Sequence, residues 1–259
     1  MANKLVFNGI SSEDIGIGIS GSGTYVKPRR RVEHYKVPGR NGELTVSDGS
    51  YENINLVYEC YAFNDFPIKM DALASWLLST SGYARLEDTY HPNHYRLAEF
   101  VGPIEPTPTT LNMHGTFKLE FNCRPEKFLK SGEFFYKLGE NREIFNPTAF
   151  CAKPLIKIDY AAWSMFAIVG KHNRKSVDNT LFIQPYDSNE PLYLDCETYE
   201  AYYIDENNHK IRVNSAVQLT GGEYPIISPG KNTIDFTDID DWTSKRTGNI
   251  EIQYRWWEL

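Results

Sequence analysis

GTFKLEFNC, residues 115–123, alternates without a break, with Phe117, Leu119, Phe121 and Cys123 on one side and Thr116, Lys118, Glu120 and Asn122 on the other. A period of two with one apolar and one polar face is what a strand needs when it packs on a core and also meets water. NIEIQYRWW (249–257) repeats the pattern with Ile250, Ile252, Tyr254 and Trp256. INLVYECYAF (54–63) is apolar on most of both faces and reads as a central or interfacial strand. Shorter strand candidates follow along the chain, among them IGIGIS (15–20), YARLE (83–87), YRLAEFV (95–101), PLIKIDY (154–160), LFIQPY (181–186), AYYID (201–205) and NTIDF (232–236). AAWSMFAIV (161–169) is far shorter than a bilayer span of roughly 20 residues and reads as a buried strand.

Only DFPIKMDALASWLLSTSG (65–82) has helical spacing, with Met70, Leu73, Trp76 and Leu77 three and four apart. Asp65 is a candidate N-cap, Pro67 suits the first turn and Gly82 marks the stop, so the spacing predicts a helix over about 66–81. One helix among many short strands joined by Gly, Pro, Asn and Asp is the pattern of antiparallel sandwiches. After Cys123 the alternation fades through residues 124–154 and a second series of strands begins, which divides the chain into 1–133 and 134–259. The 36 aromatics (17 Tyr, 14 Phe, 5 Trp) suit half-buried pleated surfaces.

Charge narrows the partners. The whole chain is −7, with 14 basic against 16 acidic side chains before the division and 13 against 18 after it. Neither half has the bulk charge of a nucleic-acid binder. The densest positive run, Lys27, Arg29, Arg30 and Arg31, therefore favours contact with protein over a phosphate backbone. The four cysteines, Cys60, Cys123, Cys151 and Cys196, lie far apart without a CxxC pair, the usage of buried, reduced thiols in a protein made in the cytoplasm. The N-terminus lacks the apolar run of a signal peptide, and no membrane insertion is expected.

Catalytic and cofactor motifs do not emerge. GIGISGSG (16–23) alternates glycine with isoleucine and precedes no helix, so it does not build a phosphate loop. Glu87, Asp88, His91 and His94 are metal-ligand types, but Pro92 breaks any shared helix face and the cluster reads as a polar loop. Asp235, Asp238, Asp240 and Asp241 read as a solvated charged loop. No enzyme activity, cofactor or metal is expected. At the C-terminus, Trp256 and Trp257 point to opposite sides of a strand, so one is core. The other, with Tyr199, Tyr202 and Tyr203, is either an interface anchor or a sugar-stacking platform.

VEHYKVPGRNGELTVSDGSY (32–51) sets Pro38-Gly39, Asn41-Gly42 and Asp48-Gly49 among charged residues and β-formers. Eight segments in order carry a resemblance that includes this stretch: LVFNGISSEDIGI, YKVPGRNGELTVSDGSYENINLVYE, LASWLLSTSGYARLEDTYHPNHYRLAEF, GTFKLEFNCRP, NPTAFCAKPLIKIDY, LYLDCETYEAY, YPIISPGKNTI and RWWEL. Together they resemble the distal tail protein (Dit) family of long, non-contractile-tailed bacteriophages and related prophages.

The resemblance implies a mainly β protein. Its N-terminal β-sandwich would carry one helix and a projecting β-hairpin arm at about 27–50, followed by a galectin-like β-sandwich. It implies a homohexameric ring at the tip of the virion tail, joining the tail tube protein to the tail-associated hub or lysin protein and to receptor-binding proteins. Arg29, Arg30, Arg31, Tyr35, Pro38, Gly39, Arg40, Asn41 and Gly42 would form the inter-subunit arm. Tyr203 and Trp257 are candidates for a C-terminal interface or ligand face, and a carbohydrate-binding β-sandwich that recognises cell-wall polysaccharide is the alternative function. The galectin-like label concerns the fold and does not itself imply sugar binding.

Overall fold

A computed structural model describes residues 3–20, 23–109, 113–139, 141–159, 164–170, 180–186, 188, 190–219, 223–238 and 250–259. Asp240, Asp241 and the start of the 161–169 segment lie outside these residues. The chain is mainly β and forms two compact units, Met1–Lys127 with Leu259, and Phe128–Glu258.

The first unit is built on the strand that contains GTFKLEFNC. His114–Leu129 pairs antiparallel with Ile54–Phe63 in a register that sets Phe117 against Cys60, Leu119 against Tyr58 and Phe121 against Leu56. The even positions of Ile54–Phe63 and the odd positions of its partner are buried together, so both inner faces line one core. In sheet order the strands run Ile10–Ser11, Leu5–Phe7, Ala84–Asp88, His94–Phe100, His114–Leu129, Ile54–Phe63 and Ile17–Ile19. Against this core the helix Phe66–Leu78 turns Phe66, Leu73, Trp76 and Leu77, and the Trp76 indole N–H donates to the Phe7 carbonyl at 3.0 Å. Gly115 permits that approach, because a Cβ there would come within 2.3 Å of the Phe66 ring.

Two local expectations change. Asp65 stands at the N-cap position but makes no side-chain cap bond, because Asn64 and Asp65 both adopt left-handed φ values, 56° and 50°, to turn the chain tightly out of the strand. A capping side chain normally acts from an extended backbone. The strand expected to end at Cys123 continues to Leu129, and Pro125 within it offers its carbonyl to the Arg96 guanidinium at 3.2 Å.

The second unit is a sandwich of two sheets. One runs Phe135–Lys137, Ile250–Gln253, Leu155–Ile158, Leu192–Asp195, Glu200–Ile204 and Lys210–Arg212. The other runs Glu143–Asn146, Gly230–Asp238, Ser164–Val169, Leu181–Ile183 and Val217–Leu219. Ile156, Ile158, Phe166, Ile168, Leu194, Ile234, Ile252 and Trp256 are buried together in one core. Asn232 is buried without cost in unmade bonds: its amide accepts from the Ser228 N–H at 2.9 Å and donates to the carbonyls of Ser228 and Gly230.

Asp195 and Arg255 form a two-pronged ion pair, 2.7 and 3.0 Å, at the margin of this core. Burial pushes the Asp195 carboxyl up, but the Arg255 guanidinium and the backbone N–H groups of Glu197 and Thr198 outweigh it and hold the group below the usual carboxylate range. A depressed folded value stabilises the fold above the unfolded value of about 3.9, and that contribution is lost as pH falls through the folded value. Asp195→Asn should therefore cost about 2 kcal/mol at neutral pH, discounted from a fully buried pair because Arg255 is partly exposed. The gap to wild type should close in acid, measured by urea unfolding from pH 7 down to pH 3. A gap that stays constant over that range would contradict the linkage.

Candidate assembly surface

Arg30–Lys36 and Glu43–Tyr51 pair only with each other among the described residues and form a separate two-stranded sheet. Its turn follows from Pro38 and Gly39. The Arg40 N–H donates to the Val37 carbonyl at 3.2 Å, with proline at the second position and Gly39 at φ 79° in the third, the requirement of a type II turn. Gly42, at φ 83°, then redirects the chain into the second strand. Arg40 and Asn41 are exposed at this tip.

The register sorts the hairpin into two unlike faces. Tyr35 pairs with Leu44 and Glu33 with Val46, so these four share a side, and the Tyr35 hydroxyl donates to the Glu33 carboxylate. Tyr35, Leu44 and Val46 are 51%, 45% and 49% exposed, an open apolar face on a ribbon too thin to have a core. The opposite side carries Val32, half-buried at the base, and then only polar side chains, His34, Lys36, Glu43, Thr45 and Ser47, with His34 within 3.6 Å of Glu43.

Asp48-Gly49-Ser50 forms an irregularity inside the second strand. The register shifts between Arg30 and Val32, Gly49 takes φ 81°, and the Asp48 carboxylate accepts from the Ser50 N–H and hydroxyl. A bulge of this kind strengthens the twist of the ribbon. Arg29 and Arg31 are exposed at its base, while the Arg30 guanidinium lies 5.5 Å from the Tyr51 ring centroid and bonds its hydroxyl at 3.2 Å. Residues 27–50 hold six basic and three acidic side chains, a net +3 within a chain of −7.

Tyr203 and Trp257 each have local partners and make no contact with each other among the described ones. The Tyr203 ring stacks on Tyr186 with centroids 5.6 Å apart, and Trp257 stacks on Phe150 at 4.3 Å while its N–H donates to the Cys151 carbonyl. Both are half-buried, whereas Trp256 is the core member of the pair. Asp88 is the hub of the His91 loop, accepting from the Tyr58 hydroxyl and the His91 N–H, both at 2.8 Å. Among the described residues no three His, Cys, Asp or Glu side chains converge as a metal site. Cys60, Cys123, Cys151 and Cys196 are free thiols, and burial pushes Cys60 and Cys123 up to about 12.

Comparison with solved structures places this architecture. The crystal structure of the phage SPP1 Dit (gp 19.1) protein, described as a paradigm of the hub adsorption apparatus in phages infecting Gram-positive hosts, matches over 100% of both chains with TM-score 0.75 at 11% identity. This chain has the Dit fold. A chain of the phage P2 baseplate in its activated conformation with calcium matches over 98% of each chain with TM-score 0.55 at 9% identity, and one in the strontium form over 97% with TM-score 0.54 at 9% identity. No family model and no curated protein matches the sequence. At such identity the Dit fold is carried by pattern more than by residue type: alternating strands, one helix and a two-stranded ribbon can be kept while most side chains change.

Proposed function

We propose that this protein is a structural hub of the distal tail of a long-tailed phage. Six copies close a ring that joins the tail tube to the tail-associated hub protein and to receptor-binding proteins, and the protein performs no catalysis. The observation that carries the reading is a full-length likeness to a phage hub protein and to baseplate chains, in a chain whose separate ribbon exposes an apolar face. A two-stranded hairpin is marginal alone, so an exposed apolar ribbon gains stability by lying on another surface. Its +3 charge on a −7 chain favours a neighbouring copy as that surface. In a ring each ribbon meets a different patch on the next copy, a head-to-tail contact that closes because the rotation closes.

Arg29, Arg30 and Arg31 would anchor the base of this arm, Tyr35 its apolar face, and Pro38, Gly39, Arg40, Asn41 and Gly42 its tip. The second unit, a galectin-like sandwich in this reading, would present Tyr203 and Trp257 to other tail components. Residues 36–43 are all exposed and belong to neither core. Deleting them should leave the far-ultraviolet circular dichroism and the unfolding midpoint near wild type while ring formation falls. An unchanged ring would remove the arm from the assembly contact.

A further inference from the structure

We infer that Asn41 is a site of spontaneous deamidation, the chemically labile point of the arm. Asn41-Gly42 lies at the exposed tip, outside both strands, and its flanking glycine has no side chain to obstruct attack. A Cβ at Gly42 would meet nothing within 4 Å, so the tip is open space. The one backbone bond of the turn runs from Arg40 to Val37 and leaves the Gly42 nitrogen unengaged.

The reaction needs only water. The Gly42 backbone nitrogen attacks the Asn41 side-chain carbonyl carbon, a carbon–nitrogen bond forms, and the side-chain amide leaves as ammonia with the proton released from the Gly42 nitrogen. The product is a five-membered cyclic imide. Water then opens it at either carbonyl: attack on the side-chain carbonyl leaves aspartate, and attack on the main-chain carbonyl leaves isoaspartate, whose chain runs through the side chain. No group is oxidised or reduced. Each event turns a neutral amide into a carboxylate and lowers the charge of residues 27–50 by one, and isoaspartate also adds a methylene to the backbone of the tip.

The molecule contains its own controls. Asn8-Gly9 is the same dipeptide, but it forms the two-residue turn between Leu5–Phe7 and Ile10–Ser11, with Phe7 paired to Ile10 and φ values of 51° and 81°. That turn is the primed type favoured in tight hairpins. The Asn8 N–H also donates to the Arg85 carbonyl at 2.9 Å and its amide reaches the Thr80 hydroxyl at 3.4 Å. Cyclisation at Asn8 requires the backbone to rotate out of this turn and to break those bonds. At Asp48-Gly49 the leaving group would be hydroxide from a carboxylate that Ser50 already holds with two bonds, and an ionised carboxylate is a poor electrophile.

The test is incubation of the purified full-length protein, diluted until it is monomeric so that the tip is undocked, at pH 8 and 37 °C, followed by digestion in mild acid and mass spectrometry of the peptides. The Asn41 peptide should gain the mass of an NH-to-O exchange and split into aspartate and isoaspartate forms at least about tenfold faster than the Asn8 peptide, whose held turn must open first. In urea the two sites should react at similar rates, and Asn41→Gln should abolish the shifted peptide. Equal rates at Asn8 and Asn41 in the folded protein, or an Asn41 that reacts only after unfolding, would overturn the assignment.

Discussion

Leu44→Lys combined with Val46→Lys should shift the protein from rings to monomers without unfolding it. Both side chains point to the apolar face of the ribbon and are almost half exposed, so the isolated chain loses little when they become polar. In the docked arm they would lose their remaining exposure, worth about 1 kcal/mol each by apolar area. Two lysines would also have to shed water or force the contact open, and the loss recurs at every interface of a closed ring. Thr45→Lys, on the opposite face between Leu44 and Val46 in sequence, is the matched control and should assemble as wild type. Native mass spectrometry at fixed concentration reads the difference. Equal loss from the Thr45 variant would mean that added charge, and not the apolar face, sets the outcome.

Phe121→Ala should be the most damaging single change to stability. The ring is fully buried and packs on Phe7, Tyr58 and Phe100 with centroid separations of 5.2, 5.9 and 5.3 Å. Tyr58 and Phe7 are themselves fully buried and anchored by hydrogen bonds, Tyr58 to Asp88 and the Phe7 carbonyl to Trp76, so the site cannot readily collapse onto the gap. A cost of about 3–5 kcal/mol follows, against a total domain stability of about 5–15 kcal/mol. It should appear as a lower urea midpoint with the slope kept. A shift below about 1 kcal/mol would show that the neighbouring rings do repack.

How much of this was legible in the sequence depends on how far each determinant reaches. GTFKLEFNC announced its strand because every second side chain meets water, and the burial follows that alternation residue by residue. The helix was legible for the same reason, through Leu73, Trp76 and Leu77. Its cap was not, since aspartate serves both extended N-caps and left-handed turns and only the geometry of Asn64-Asp65 decides between them. The alternation fades after Cys123, yet the strand runs on through Pro125 to Leu129. The alternation of the last strand is interrupted at Arg255, whose φ is 54° and whose carboxylate partner stands sixty residues earlier, a dependence that no local pattern carries.

The arm shows the same limit. Its tip could be read from Pro38, Gly39 and Gly42, but no local pattern showed that Gly49 sits in a bulge. The apolar face appears only once the register pairs Tyr35 with Leu44. The two-residue spacing of Tyr35 and Val37, and of Leu44 and Val46, was the signal that could have shown it earlier.

The native mass of the purified protein across a concentration series, with negative-stain images of the largest species, tests the hub reading most directly. A hexamer of about 180 kDa, six times the 29.8 kDa chain, with a central hole is the predicted result. A monomer at every concentration, or a closed dimer with no ring in the images, would contradict a hub that assembles through its own arms.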